Sequence, residues 1–278
     1  MSESVNVEAW SGKDRGDENF PVGSVLIRKA LRPHVHAFYA FARNADDIAD
    51  DPDLAEAEKV ARLDRMEDVL LGREEAGSPS ALRLRASLAE TGVTARHSCD
   101  LLVAFRQDAT KRRYASWTEL YDYCRYSAMP VGRHVLDLHG EDEATHAPSD
   151  ALCAALQVLN HLQDGARDLA ALDRCYLPGD LLDRHGASVG DLRGGAASAG
   201  LRRVFDALLE EVKELNRAAA LLPRRARDRR LRVETAVIAG LARRLTRRLR
   251  EGDPVARRIA LTKADAGASV LAALRFLA

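Results

Sequence analysis

The sequence predicts an all-α protein, and three observations support this class. Long segments rich in Ala, Leu, Arg and Glu recur along the 278 residues, and these residue types favour helices. Runs of β-branched residues are scarce. No segment alternates polar and apolar residues for more than a few positions, as a half-buried strand would. The expected architecture is a single-domain helical bundle around a central cavity.

The apolar periodicity places the individual helices along the chain. Pro33 stands where the first turn of a helix tolerates proline, and Ser149 with Asp150 can cap a later helix. The Gly/Ala/Ser-rich residues 186–200 are expected to form a loop. In chain order the helices are expected at residues 22–31, 34–50, 55–73, 79–91, 94–107, 117–127, 130–139, 148–168, 200–221, 224–250 and 254–275.

Charge and hydropathy exclude several classes of function. Lys and Arg total 42, as do Asp and Glu, so no net field favours nucleic acid. No uncharged apolar run reaches the roughly 18 residues of a membrane span. Residues 1–16 are polar and acidic, unlike a signal peptide, and are expected to form a flexible segment before one domain at 17–278. The expected location is the cytoplasm. The apolar residues 266–278 favour a core helix, with a peripheral membrane contact as the alternative.

A first polar stripe follows the apolar run at residues 35–41. Tyr39, Arg43, Asp46 and Asp50 are spaced so that they share one face of a helix. A solvated face would explain the acids alone. It explains less well why a phenol and a guanidinium accompany them, or why acids gather at a helix C-terminus, where they oppose the macrodipole.

A second polar stripe lies on the helix predicted at 148–168. Gln157, Asn160, Asp164 and Asp168 are spaced by three, four and four residues, among many Ala and Leu residues. A wet face of an amphipathic helix is the alternative interpretation. Each stripe carries two carboxylates one helical turn apart. Two such pairs facing each other would bind Mg²⁺ and a diphosphate, because Mg²⁺ takes hard oxygen ligands and shares substrate phosphates.

Two further segments are candidates for the same site. Arg174 and Tyr176 follow the second stripe closely and could lie over a phosphate. Aromatic residues at 121–126 precede Pro130, which would break or kink a helix, and Gly132. A broken helix can line a ligand cavity, and an ordinary turn between helices explains these residues equally well.

Taken in order, these motifs resemble the squalene/phytoene synthase family, the head-to-head prenyl transferases with an isoprenoid-synthase fold. The resemblance covers residues 17–270 and includes Phe20, residues 39–50, Tyr123-Cys124, Val131-Gly132, the second stripe and residues 174–178. Pro21-Val22-Gly23, Met129-Pro130 and Gln163 depart from the common pattern and are similar to the bacterial hydroxysqualene synthases of hopanoid pathways. That subgroup typically has Asn where this chain has Met129.

The resemblance implies a substrate, a cofactor and a set of residue roles. The substrate would be presqualene diphosphate, which would be ionised with Mg²⁺ and captured by water to give hydroxysqualene. Functional coupling to a presqualene diphosphate synthase and a peripheral membrane contact for product release would follow. The carboxylates of Asp46, Asp50, Asp164 and Asp168 would hold Mg²⁺ with Asn160, and the diphosphate would contact Tyr39, Arg43, Gln157, Asn160, Arg174 and Tyr176.

Several alternatives stay open on the sequence. Presqualene diphosphate, phytoene and reductive squalene synthases share both stripes. A chain-elongating prenyl transferase is compatible with the DDxxD pattern at 46–50, but the second stripe lacks the matching leading acids. A non-catalytic scaffold on the same fold is a remote alternative, because all four aspartates are present.

Overall fold

The computed structural model describes residues 6–8 and 27–277. Helices dominate this part of the chain, and its β-structure is limited to one bridge between Tyr114 and Pro178. The all-α prediction is therefore confirmed. Phe20, Pro21-Val22-Gly23 and the segment 1–16, apart from residues 6–8, lie outside the described residues. No described helix is long and apolar enough to cross a membrane.

The described chain divides into two compact units. The first reaches Lys111 and includes Arg133–Gly140, and the second comprises Arg112–Gly132 and the chain from Glu141 onward. The prediction of one domain at 17–278 stays a prediction beside this division.

The first unit is built on four helices around an apolar core. Phe41, Ile48, Leu63, Met66 and Leu102 are fully buried in this core. Ser78 caps the third helix by accepting the amide of Ala81 at 3.3 Å, as its residue type favours. The helices are α1 (Arg32–Asp50), α2 (Glu56–Leu70), α3 (Pro79–Thr91) and α4 (Arg96–Thr110).

The second unit is organised around one long helix. This helix, α7, packs mainly against α9, which packs against α11, and α11 in turn packs against α12. The helices are α5 (Trp117–Ser127), α6 (Met129–Leu138), α7 (His146–Leu172), α8 (Gly179–His185), α9 (Ala199–Ala219), α10 (Leu222–Arg225), α11 (Arg229–Glu251) and α12 (Lys263–Ala273). The last residues of α6 belong to the first unit.

Most predicted helices are confirmed within a few residues, three predictions are wrong in part, and one helix was not predicted. Residues 27–31 form a bend and turns, and the rest of the helix expected at 22–31 lies outside the described residues. The helix expected at 224–250 is two helices, because Asp228 caps a new start by accepting the amide of Leu231 at 3.0 Å. The helix expected at 254–275 begins only at Lys263, after a capping box of Thr262 and Asp265. The helix α8 was not predicted.

The predicted helix starts have mixed outcomes. Pro33 does lie in the first turn of α1. The cap expected at Ser149 and Asp150 is wrong, because α7 begins at His146 and includes both residues. Residues 186–200 are mainly loop, with a 3₁₀ turn at Val189–Arg193.

Candidate active site

The first acidic motif lies on the last turns of α1. Arg43 reaches two neighbouring carboxylates: Nη1 lies 3.1 Å from Asp46 Oδ2, and Nε donates to Asp47 Oδ1 at 3.0 Å. Tyr39 and Asp50 are half-buried on the same helix. The predicted stripe of four residues therefore shares one helix, and Asp47 is an additional partner of Arg43 that the stripe did not contain.

Like charges surround the carboxyl group of Asp46. Its pKa is raised to about 8, first by desolvation and then by the negative charge of Asp50. The charge of Arg43 lowers the pKa, whereas Asp108 on α4 and Asp47 raise it further. Since 36% of the Asp46 side chain remains accessible, a dissolved cation can reach this carboxylate. The group is a carboxylate whose charged form a cation would stabilise.

A lysine compensates the unfavourable position of these acids at a helix C-terminus. The buried Nζ of Lys59, on α2, donates to the carbonyl oxygen of Ala49 at 3.0 Å. A cation is favourable at the negative end of the macrodipole, and here it also satisfies a terminal carbonyl group. Lys59 thereby allows α1 to end in Asp46, Asp47 and Asp50.

The second acidic motif lies within α7, and arginine side chains contact its carboxylates. Asp164 Oδ1 accepts from Arg258 Nε at 2.8 Å, and Asp164 Oδ2 lies 3.1 Å from Arg167 Nη2. Arg167 also approaches Asp168, with Nε 3.8 Å from Oδ1. Gln157 and Asn160, the other members of this stripe, are half-buried on α7. The structure thus brings the four predicted residues onto one helix.

Arg258 is a partner of Asp164 that the sequence did not predict. It lies 94 residues after Asp164, in the irregular segment that was expected to be helical. The buried Gln163 fixes this segment, since its Nε2 donates to the carbonyl oxygen of Ile259 at 2.5 Å. The departure at Gln163 has a structural consequence, because this residue anchors the chain next to Arg258.

Arg174 and Tyr176 form a buried pair immediately after α7. Asp173 ends the helix with a left-handed backbone, at φ 50°, and this turn directs the chain away from the helix axis. Arg174 Nη1 donates to the Tyr176 hydroxyl at 3.3 Å. The Tyr176 ring stacks on His161 at a centroid distance of 3.5 Å. These contacts position both predicted residues next to the second motif.

The helix break predicted near Pro130 is present. α5 ends at Ser127 and α6 begins at Met129. Gly132 then packs closely against α7: a Cβ atom at this position would lie 2.7 Å from the Cys153 sulfur and still closer to the Ser149 hydroxyl. The Val-Gly motif therefore provides a close approach of two helices.

The residues present fit a hard cation that keeps part of its hydration. Among residues 6–8 and 27–277, no three or more His, Cys, Asp or Glu side chains are grouped as a metal site. Each motif instead offers carboxylate oxygens one turn apart. Mg²⁺ typically takes one or two carboxylates and completes its coordination with water and substrate phosphates.

Comparisons with known proteins agree with these motifs. The family model described as "Squalene/phytoene synthase" matches residues 13–265. A hydroxysqualene synthase of Rhodopseudomonas palustris is 47% identical, over 91% of this chain and 87% of its own. A hydroxysqualene synthase of Zymomonas mobilis is 44% identical, over 92% of this chain and 86% of its own.

A solved structure also matches the fold. The crystal structure described as squalene synthase HpnC from Alicyclobacillus acidocaldarius has a TM-score of 0.75 and 33% sequence identity, covering 85% of this chain and 90% of its own. Because the family model spans most of the sequence and both motifs fall within it, the chain belongs to the squalene/phytoene synthase family.

Proposed function

We propose that this chain is a hydroxysqualene synthase, converting presqualene diphosphate and water to hydroxysqualene and diphosphate. The observation that carries the proposal is the identity of 44–47%, over about nine-tenths of the chain, with proteins of that name. The acidic motifs supply the chemistry that such a reaction needs. The match covers 84–87% of the relatives' own length, so the proposal concerns the whole activity and not a shared fragment.

The reaction balances without an oxidant or reductant. The carbon–oxygen bond to the diphosphate breaks, and the diphosphate leaves with the electron pair. The carbocation rearranges as the cyclopropane ring opens. The oxygen of water then forms the new carbon–oxygen bond, and its proton passes to released diphosphate or to solvent. The step that demands the most of the protein is the departure of the diphosphate, because negative charge develops on it.

The acidic residues have one role in this proposal. Asp46, Asp50, Asp164 and Asp168, with Asn160, would hold Mg²⁺, which when bound acts as a Lewis acid that neutralises a leaving diphosphate. The raised pKa of Asp46 supports the first half of this set, because a carboxylate crowded by Asp50 and Asp108 gains from a nearby cation.

The basic and polar residues have another role. Arg43 and Arg174 donate charge-assisted hydrogen bonds to the diphosphate, and Tyr39, Gln157 and Tyr176 contact it. Arg43 is already poised at the motif, since it bridges Asp46 and Asp47. Arg258 acts as a positioning residue, because it holds the Asp164 carboxylate from one side.

The proposed reaction also fixes the chemistry that must precede it. Presqualene diphosphate has to be made by an enzyme that joins two farnesyl diphosphates, so this chain would be coupled functionally to a presqualene diphosphate synthase. The proposed location is the cytoplasm.

A substrate comparison tests the proposal. Purified protein is incubated with Mg²⁺ and either presqualene diphosphate or farnesyl diphosphate, without reductant, and the products are identified by mass. We expect turnover of presqualene diphosphate to hydroxysqualene and none of farnesyl diphosphate. Turnover of farnesyl diphosphate alone would contradict the proposal and would indicate a condensing synthase.

One observation favours a second candidate function. The solved structure at 33% identity is described as a squalene synthase, so a parallel incubation should contain NADPH. A hydroxysqualene synthase gives the same product with and without the reductant. A product that changes to squalene when NADPH is added would support the reductive reaction instead.

A further inference from the structure

The helix α12 has its polar side buried and its apolar side in solvent. Its buried residues are Asp265, Ser269 and Ala273. Asp265 accepts from Arg248 Nε at 2.6 Å, and Ser269 accepts from Arg244 Nε at 3.1 Å. These polar contacts help to hold α12 against α11. A helix that faces water normally shows the reverse distribution.

Large apolar side chains cover the outer side of α12 and the turn that follows it. Their exposed fractions are 48% for Val270, 70% for Leu271, 47% for Leu274 and 53% for Leu277. No charged residue interrupts the sequence between Asp265 and Arg275. A contiguous exposed apolar patch of this kind marks a surface that binds something apolar.

A basic cleft of about 570 Å³ adjoins this patch. Arg243, Arg247 and Arg250 lie along one side of α11, and Arg275, which directly follows Leu274, completes the cleft. Arg275 therefore belongs to the apolar patch by position and to the cleft by its side chain. The full lining consists of Lys213, Asn216, Arg217, Ala220, Arg243, Thr246, Arg247, Arg250 and Arg275.

Positive charge in the cleft is only partly neutralised. Glu210 pairs with Lys213 at 2.7 Å and with Arg250 at 2.6 Å, and Glu214 pairs with Arg217. Within the described chain, Arg243, Arg247 and Arg275 have no carboxylate partner. Burial and the charge of Arg275 lower the pKa of Arg243, as expected where cations are crowded together.

An unsatisfied acceptor is buried beside this cleft. Asn216 is 5% exposed and lines the cleft. Its Nδ2 donates to Thr246 at 3.0 Å, and among the described residues its Oδ1 has no hydrogen-bond partner. The excess of cations in the cleft suits the phosphate group of a polar ligand.

We propose that the apolar side of α12 and the basic cleft together form a docking surface for a membrane that contains anionic phospholipids. Leu271, Leu274 and Leu277 enter the interfacial region of the bilayer, and the arginines bind lipid phosphates. Apolar side chains with adjacent cations are the combination that binds such membranes. A second copy of this chain fits less well, because a two-fold contact would bring the same positive cleft next to itself.

Vesicle sedimentation tests the docking surface on the full chain. Vesicles of phosphatidylcholine with phosphatidylglycerol are compared with phosphatidylcholine alone, at low and high salt. We expect binding to the anionic vesicles that weakens with salt. The double variant Leu271→Ser, Leu274→Ser should partition at least about tenfold less, a loss of about 1.4 kcal/mol of binding free energy, because two side chains lose their apolar burial. Arg243→Gln with Arg247→Gln should partition about 25-fold less.

Matched controls carry substitutions of the same kind at exposed positions outside the docking surface. Val103→Ser removes a side chain that is 43% exposed on α4, and Arg230→Gln removes an exposed charge from α11 outside the cleft. Both should bind vesicles as the unaltered chain does. The thermal midpoint of every variant is measured, and the arginine pair carries the test if the leucine pair fails to fold.

Four outcomes would overturn the docking surface. One is absence of binding to anionic vesicles. A second is binding that is unchanged in both double variants. The third is a chain that does not bind vesicles but forms a dimer by light scattering, when that dimer is lost in the leucine variant. Displacement of bound protein by inorganic phosphate, with no dependence on the leucines, would also contradict it by indicating a site for free anions.

Discussion

The two acidic motifs resemble each other in sequence and differ in their electrostatic surroundings. In the first unit, the Asp46 carboxyl group is crowded by Asp50 and Asp108, and burial with these charges raises its pKa to about 8. In the second unit, Asp164 lies between two arginines, with Arg258 at 2.8 Å and Arg167 at 3.1 Å. The leading carboxylate of the first motif has one arginine, Arg43, among several like charges, whereas the leading carboxylate of the second lies between two arginines.

Because of this difference, a metal ion is expected to bind the two motifs differently. A cation near Asp46 has to displace the proton that a pKa of about 8 retains near neutral pH, and it then relieves the repulsion from neighbouring carboxylates. A cation near Asp164 must share that carboxylate with two guanidinium groups. The first motif is therefore expected to bind Mg²⁺ without the diphosphate, more tightly as the pH rises toward 8. The second motif is expected to need the diphosphate, whose negative charge offsets the arginines.

The largest expected effect is on catalysis, where the two motifs should be equally essential. Asp46→Asn and Asp164→Asn should each lower kcat by about 10²–10³, the usual cost of losing one group that stabilises transition-state charge. Steady-state assay of presqualene diphosphate turnover measures this loss. Asp53→Asn is the control, because Asp53 is exposed just beyond the first motif and should keep full activity. Unchanged turnover in either motif variant would exclude a catalytic role for that residue.

Acidification should destabilise both units alike. His134 in the first unit and His161 in the second are buried, and desolvation lowers the pKa of each from 6.5 to about 3. Since both folded-state pKa values lie below the unfolded value, stability is complete above pH 6.5 and falls as the pH decreases toward 3. The loss is about 1.4 kcal/mol per pH unit for each histidine.

Aromatic replacements test this acid sensitivity. His134 stacks on Phe38 at 3.8 Å and His161 on Tyr176 at 3.5 Å, so His134→Phe and His161→Phe can keep the stacking. Urea unfolding at pH 7.5 and pH 5.0 should show a smaller difference in each variant than in the unaltered chain. An unchanged difference would mean that the histidine is not kept neutral by the fold.

Stability should distinguish the motifs even though catalysis does not. Without Mg²⁺, Asp164→Asn should lower the free energy of unfolding by about 1–3 kcal/mol, because it breaks a partly buried ion pair with Arg258. Asp46→Asn should leave the thermal midpoint unchanged or raise it, because burial and the neighbouring acids disfavour the charged form more than its ion pair with Arg43 favours it. Scanning calorimetry of both variants decides the comparison, and an equal loss in both would contradict it.

Gln163 provides a finer test of the second motif. Its Nε2 donates to the Ile259 carbonyl, next to Arg258. Gln163→Leu keeps the volume and removes the bond, and should cost about 1–2 kcal/mol by leaving a buried carbonyl unsatisfied. Chemical unfolding measures the cost. Arg167→Gln, on the exposed side of the same motif, should cost less than Gln163→Leu, and the opposite order would contradict the anchoring role.

The sequence predicted what local spacing determines. Tyr39, Arg43, Asp46 and Asp50 share a helix face because the helical repeat places them there, and the Arg43–Asp46 pair follows from the same repeat. The break before Pro130 follows from the chemistry of proline. Both stripes and the fold class could therefore be predicted from residue types and intervals alone.

Contacts between distant segments could not be predicted in this way. Arg258 meets Asp164 across 94 residues, and Lys59 reaches the end of α1 from the next helix. The segment before Lys263 has helical composition, yet it is irregular, because Gln163 and Asp164 bind its backbone and side chain. Tertiary hydrogen bonds override local helix propensity at such sites. The periodicity of the sequence does not predict these bonds.

The measurement that tests the central claim most directly is the origin of the oxygen in the product. Presqualene diphosphate is incubated with the purified chain and Mg²⁺ in water enriched in ¹⁸O, and the C30 product is analysed by mass spectrometry. Hydroxysqualene carrying one ¹⁸O atom per molecule is predicted, because water captures the cation. A hydrocarbon product, or an alcohol without the label, would contradict the proposed reaction.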